Sequence, residues 1–275
     1  MKAIARVELR SPRHPLLQRL RRALSRGELT PDGYCAIEGE HLVEEALRSR
    51  LEMAALVAAR SAEARLARFE AAANGRLRSY LIPDRVFRSL AQTETPQGLA
   101  ALVRLPAPRL EDCLARPGVV VTVLVGLQDP GNLGSILRAL EAFGGAALLL
   151  APNTVSPFNS KAVRASAGSL FRVPVFRRLP LEKIISLCRQ HHLFTLGLAP
   201  RASRLVSELD LRAPVAFFVG GEGAGLPIGV VEELEAVARL PLAPPVESLN
   251  AAMAASLALY EMARQRIFPC SHGPV

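Results

Sequence analysis

The sequence predicts an α/β protein in two parts, a small αβ region followed by a larger domain built on a parallel sheet with helices on both faces. Three observations carry this. Half of the 275 residues are hydrophobic, enough for one large or two ordinary domains with proper cores. Beyond residue 118, continuous apolar runs such as "VVVTVLVGL" alternate with helix-length segments, the pattern of strands buried on both faces. Between the regions, "LPAPRLEDCLARPG" holds three prolines and a glycine, which marks 106–116 as a linker and sets the domains at 30–105 and 117–275.

The elements follow in order. "HPLLQRLRRALSRGEL" reads as an amphipathic helix with Leu16, Leu20 and Ala23 or Leu24 on one face and Arg19, Arg22 and Arg26 on another. "YCAIEGEHLVEEALRSRL" is a strand then a helix, "MAALVAA" a strand, "ARLARFEAAANG" a helix stopped by Gly75, and "GLAALVRLP" a closing strand. In the second region the strands are "VVVTVLVGL", "GAALLLA", "RVPVF", "LFTLGLA", "APVAFFVGG" and a short "RLPL". Helices are expected after Gly134, over "SKAVRASAGSLF", "LEKIISLCRQ" and "IGVVEELEAVA", and from Ser248 to about Ile267.

Charge is unevenly spread. Residues 1–29 carry eight basic side chains against Glu8 and Glu28, whereas 30–105 is balanced and 106–275 is nearly so. A solvated helix explains such a run. So does contact with a polyanion, and the Arg19, Arg22 and Arg26 face is the candidate surface for nucleic acid. No apolar run reaches the roughly 18 residues of a membrane span and no secretory leader is visible, so a cytoplasmic protein is expected. Cys35, Cys113, Cys188 and Cys270 are scattered without Cys-x-x-Cys spacing, so neither a disulfide framework nor a metal site is expected.

Three turns at strand ends are unusual. "LVGLQDPGNLGSILRALEAFGG", 124–145, is neither a phosphate loop, since Gly134 is followed by Ser135 and Ile136 rather than lysine, nor a dinucleotide fingerprint, since it lacks the third glycine and the later acid. "FFVGGEGAGLP", 217–227, sets four glycines around Glu222, where backbone can approach a ligand closely. "RLPLAPPVESLNAAMAASLALYE", 239–261, passes through prolines into a helix with Ser248 and Asn250 at its start.

These three segments resemble, in order, the three motifs of the SpoU (TrmH-like) family of RNA ribose 2′-O-methyltransferases, of the SPOUT class. "SKAVRASAGSLFRVPV" resembles the segment that family carries between its first and second motifs, and "YCAIEGEHLVEEALRS" and "TPQGLAALV" resemble its preceding substrate-binding domain. The resemblance implies a trefoil knot in the parallel-sheet domain and a homodimer. It implies S-adenosylmethionine bound through backbone of Val219 to Gly225 and Leu240 to Asn250, with Gly220, Gly225, Leu240, Leu242 and Leu249 at cofactor positions. Asn132 and Arg138 then face the RNA, and Glu222, Ser248 and Asn250 close the catalytic site. One departure stands out: Pro244 and Pro245 occupy the place where the family has glycine, and proline there fixes φ and removes a donor.

Methyl transfer to a ribose hydroxyl needs in-line positioning and a route for the proton, and no metal. Arg138, with a pKa above about 12, is a poor base, and a bidentate grip on phosphate suits it better. The expected activity is 2′-O-methylation of ribosomal RNA, favoured over transfer RNA by the N-terminal domain and its basic arm. The competing readings are a transfer RNA methyltransferase and a non-catalytic RNA-binding protein of the same fold.

Overall fold

A computed structural model of the chain describes residues 6–73 and 77–267. Gly75, expected to stop the third helix, and Cys270 lie outside the described residues. The chain forms two compact units: the described residues up to Pro106 together with Ser156–Arg172, and Ala107–Val155 with the described residues from Val173 on.

The first unit is a five-stranded sheet of β1 (Val7–Glu8), β2 (Tyr34–Glu38), β3 (Met53–Ala59), β4 (Ser79–Ile82) and β5 (Leu99–Arg104), in the order β1-β4-β3-β5-β2. β1, β4 and β3 run parallel, and β5 is antiparallel to both β3 and β2. Its helices include α1 (Pro15–Arg26), α2 (Glu40–Arg48), α3 (Glu63–Ala72) and α4 (Asp84–Arg88). α1 has clear boundaries: His14 Nδ1 accepts from the Leu16 N–H at 3.3 Å, Pro15 takes the first position, and Gly27 ends the helix at φ 62. Leu17, Leu20, Ala23 and Leu24 of α1 join Val86, Phe87 and Leu90 in one hydrophobic cluster. β1, β4 and α4 were not expected from sequence, being too short to display a period.

The second unit has α5 (Leu110–Leu114), β6 (Val120–Val125), α6 (Pro130–Ala142) and β7 (Ala147–Leu150). After α7 (Ser160–Ala165), which lies in the first unit, come β8 (Val175–Phe176), α8 (Leu181–Gln190), β9 (Phe194–Leu198), β10 (Arg204–Leu205), β11 (Val215–Gly220), α9 (Ile228–Val231), β12 (Ala236–Arg239) and α10 (Ala251–Ile267). Its seven strands form a sheet, β10-β12-β9-β11-β6-β7-β8, in which every pair is parallel. Val121, Val123 and Val125 of β6 pack with Ala216 and Phe218 of β11 and with Ile184 and Cys188 of α8 on one face. The intervening Val120, Thr122 and Leu124 are equally buried, which is why the strand reads as a continuous apolar run. α10 packs on α6 and against β11.

Three expectations change. The segment read as a linker contains α5, and its Leu110, Cys113 and Leu114 belong to the second unit's core. The helix expected over "IGVVEELEAVA" ends at Val231, and its last residues become β12, so the strand expected at "RLPL" starts earlier. α6 starts at Pro130, so Gly131, Asn132 and Gly134 lie inside the helix rather than in a turn before it.

Candidate active site and cofactor pocket

Because β6, β9, β11 and β12 run parallel, the loops that leave their carboxyl ends emerge on one edge of the sheet, where ligands of such folds sit. The loop after β6 leads into α6 through Asp129, whose side chain accepts from the Asn132 N–H at 2.8 Å, with Pro130 next. That cap fixes where Asn132 stands in the first turn.

Glu222, from the loop after β11, joins this helix start. Its Oε1 accepts from Asn132 Nδ2 at 2.7 Å and from the Asp129 N–H at 3.4 Å, and its Oε2 accepts from the Gln128 N–H at 3.1 Å. Asn132 Oδ1 in turn accepts from Asn250 Nδ2 at 2.9 Å. Asn250 caps α10, its Oδ1 accepting from the N–H groups of Ala252 at 2.9 Å and Met253 at 3.3 Å. The carboxylate at one end and the helix N–H groups at the other leave each amide one consistent orientation. Each amide nitrogen therefore keeps one N–H unused by this chain of bonds. Partial burial raises the Glu222 pKa, but hydrogen bonds from Asn132 and from the Gln128 and Asp129 backbone outweigh it and hold the carboxyl below its ordinary range. Glu222 is thus an anion that orients Asn132, and a weak base.

Glu222 and Asn250 also line a cavity of about 740 Å³, a volume typical of small-molecule sites. Gly220, Gly225, Leu240, Leu242 and Leu249 are in its wall, and so is Ser248. Gly220 is needed for a different reason than ligand approach: a Cβ there would stand 2.1 Å from the Gly225 carbonyl carbon and 2.4 Å from the Leu226 nitrogen. The glycine lets its own loop fold back on the strand. Gly223 and Gly225 have φ of 78 and 67 with open space around them, so backbone conformation is what favours glycine there. Pro244 and Pro245, joined by a cis peptide bond, are exposed and lie outside the cavity wall.

Sequence reasoning missed Gln128, whose Nε2 donates to the carbonyls of Gly126 at 3.2 Å and Asn153 at 2.5 Å and so braces the first loop. It also missed Arg201, and it did not single out Arg239 and Glu247 within the third segment; all three are charged side chains of the cavity wall that make no hydrogen bond or ion pair among the described residues. Nothing in the local pattern around Arg201 signals a site; the parallel strand order brings it to the other two.

Arg138 does not join this bonded group or the cavity wall. Arg138 is exposed, without a hydrogen bond or ion pair among the described residues, and about 9 Å farther along α6 than Asn132 at 1.5 Å per residue. In the first unit Arg22 and Arg26 are exposed, whereas Arg19 grips Asp32, with Nη2 at 2.5 and 2.6 Å from its two oxygens. The expected basic face is therefore partly neutralised. Among the described residues no cluster of His, Cys, Asp and Glu could hold a metal ion, and no helix is long and apolar enough to cross a membrane.

Comparisons with known proteins converge on one family. Residues 119–260 match the SpoU rRNA Methylase family, and residues 16–101 match the MRM3-like substrate binding domain. The chain is 32% identical over 235 residues, 86% of its length and 90% of the relative's, to the 23S rRNA (guanosine(2553)-2′-O)-methyltransferase RlmP of Bacillus subtilis. An AdoMet-bound rRNA methyltransferase from Sinorhizobium meliloti superposes with a TM-score of 0.82 at 26% identity, covering 96% of this chain and 99% of that one. A structure described as an RNA 2′-O ribose methyltransferase gives 0.78 at 31% identity, covering 96% and 100%. With a family match over more than half of its length and a relative of this likeness, the chain belongs to the SpoU rRNA methylase family.

Proposed function

We propose that this protein transfers the methyl group of S-adenosylmethionine to a ribose 2′-hydroxyl of ribosomal RNA, with S-adenosylhomocysteine as the leaving group and the hydroxyl proton passing to water. The observation that carries the reading is the bonded chain Glu222–Asn132–Asn250 beside the cavity, because it joins the three loops that the fold brings to one edge. The residues present suit the cofactor: Leu240, Leu242 and Leu249 offer apolar surface for a purine, and Arg201, Arg239 and Glu247 offer charges of both signs for a zwitterionic amino-acid tail. When bound, S-adenosylmethionine supplies a methyl group made electrophilic by its sulfonium.

The chain's own residues then position and stabilise. The free N–H groups of Asn132 and Asn250 are preoriented donors for the substrate ribose, and such donors act most strongly on an oxygen that is gaining negative charge. Holding the hydroxyl at near-attack distance supplies about 7–11 kcal/mol of the rate enhancement. Arg138, farther along α6, grips a phosphate of the substrate with its planar fork and so holds the RNA in register with Asn132 and Asn250. The first unit recruits the RNA, with Arg22 and Arg26 available on α1. Two copies pair through α10, where Met253, Leu257 and Tyr260 are 55%, 44% and 51% exposed at one-turn spacing, an apolar stripe that a second copy would cover.

Mapping ribose methylation in total RNA from cells with and without the gene tests the reading. Loss of one 2′-O-methyl group in ribosomal RNA is expected. Loss confined to transfer RNA, or no loss, contradicts it.

A further inference from the structure

The first unit carries a second set of arginines, distinct from the Arg19, Arg22 and Arg26 face. Glu8 of β1 is in register with Leu81 of β4, and the Leu9 N–H donates to the Leu81 carbonyl at 2.9 Å, which sets Arg10 beside the chain entering α4. A turn closed by the His14 N–H on the Ser11 carbonyl at 3.2 Å keeps Arg13 just before α1. α1 is tied to the end of α4 by Arg21, whose Nη2 donates to Ser89 Oγ at 2.8 Å. From the end of β3, the Ser61 hydroxyl and N–H both donate to Asp84 at the start of α4. The carboxyl ends of β1, β3 and β4 thus converge with α1 and α4 at one corner of the unit.

That corner is strongly positive. Arg10, Arg13, Arg85 and Arg88 are exposed, and the first three have no ion-pair partner among the described residues. The nearby acids are already engaged: Glu8 holds Arg60 at 2.9 Å, and Asp84 is bound by Ser61 and feels Arg88. Arg21 is fixed rather than free, with its Nε buried and without a hydrogen-bond partner while its Nη2 holds Ser89. Val7 is the single exposed large hydrophobic of the first unit among the described residues, so the corner lacks the apolar centre of a protein interface. Exposed guanidinium forks around one anchored arginine, without apolar surface, are what phosphate contacts use.

We infer that this corner, with Arg10, Arg13, Arg85 and Arg88 around the anchored Arg21, is the surface that grips the RNA backbone, ahead of the outward face of α1. The inference rests on the RNA-directed function proposed above. It also explains why Arg19 can be given over to Asp32 without weakening the hold on RNA.

The test uses the full chain, protein-free 23S ribosomal RNA and a potassium chloride series. The variant R10Q/R13Q/R85Q/R88Q should lower the slope of log affinity against log salt by about 3, at roughly 0.7–0.9 for each phosphate that is no longer neutralised. Its KM for RNA should rise at least about tenfold with kcat retained at saturating RNA, and S-adenosylmethionine affinity by calorimetry should not move. The pair R22Q/R26Q should change the slope less. An unchanged slope in the fourfold variant, or a loss confined to R22Q/R26Q, overturns the inference, and an acidic protein partner becomes the better occupant. Wild-type protein that binds with the full slope yet transfers no methyl group would strike the functional reading and leave this surface standing.

Discussion

At the residue scale, Glu222 receives three donors with one carboxylate, and their geometry makes a prediction that separates charge from shape. In Glu222→Gln the remaining oxygen can keep the donors from Asn132 and Asp129, and the NH₂ then faces the Gln128 N–H that Oε2 had accepted. The cost should be about 1 kcal/mol in chemical denaturation, at the low end because the site is open to water. The folded pKa of Glu222 lies below the ordinary 4.5, so the carboxylate's stabilisation is complete above that value and is lost as pH falls through the folded pKa. The gap between wild type and Glu222→Gln should therefore be constant near neutrality and close below about pH 4.5. A gap that widened on acidification would refute this assignment. Gly220→Ala makes the contrasting case. Its Cβ would collide with the backbone of Gly225 and Leu226, so the loss should appear first as stability, about 3 kcal/mol or more, before any specific loss of cofactor affinity. A variant as stable as wild type that no longer binds cofactor would return Gly220 to the role of ligand contact.

At the element scale, the legibility of the sequence followed burial. Strands covered on both faces, such as Val120–Val125 and Val215–Gly220, announced themselves as apolar runs, and α8, with Ile184, Ile185, Leu187 and Cys188 buried, showed a clean helical stripe. Short edge elements such as Val7–Glu8 and Arg204–Leu205 carry two residues each and leave no pattern to find. "IGVVEELEAVA" misled because its composition favours helix while tertiary bonds decide otherwise. Glu235 accepts from both the Thr195 N–H at 2.7 Å and its hydroxyl at 3.0 Å, and the Glu235 N–H donates back to that hydroxyl at 3.0 Å. This clamp lays Ala236–Arg239 along β9 as a strand. Motif resemblance marks Asn132, Glu222, Asn250 and the segment that holds Glu247, and the structure bonds the first three together, whereas Arg201 joins them only through strand order. The proline-rich stretch misled in the other direction, since Leu114 is 2% exposed in the second unit's core. Leu114→Ala should cost about 2–5 kcal/mol. A change within about 0.5 kcal/mol, the value for an ordinary surface position, would restore the linker reading.

At the scale of the whole molecule, the charge and the apolar stripe lie in different units. The excess of arginine lies in the first unit, and the large exposed apolar side chains Met253, Leu257 and Tyr260 lie on α10 of the second. The Tyr260 ring meets Phe143 edge-on, with centroids 5.9 Å apart, which holds the stripe in place on the end of α6. Leu257→Glu should convert a dimer into monomers in sedimentation velocity without unfolding the chain, and a wild type already monomeric would remove the proposed pairing. Methyl transfer to RNA is itself read out by incubating the purified protein with tritium-labelled S-adenosylmethionine and protein-free ribosomal RNA, then digesting and mapping the label. Label is expected on the 2′-oxygen of a single ribose, and none with Arg138→Ala although that variant still binds cofactor. Label on a base, or full transfer by Arg138→Ala, would contradict the proposed chemistry.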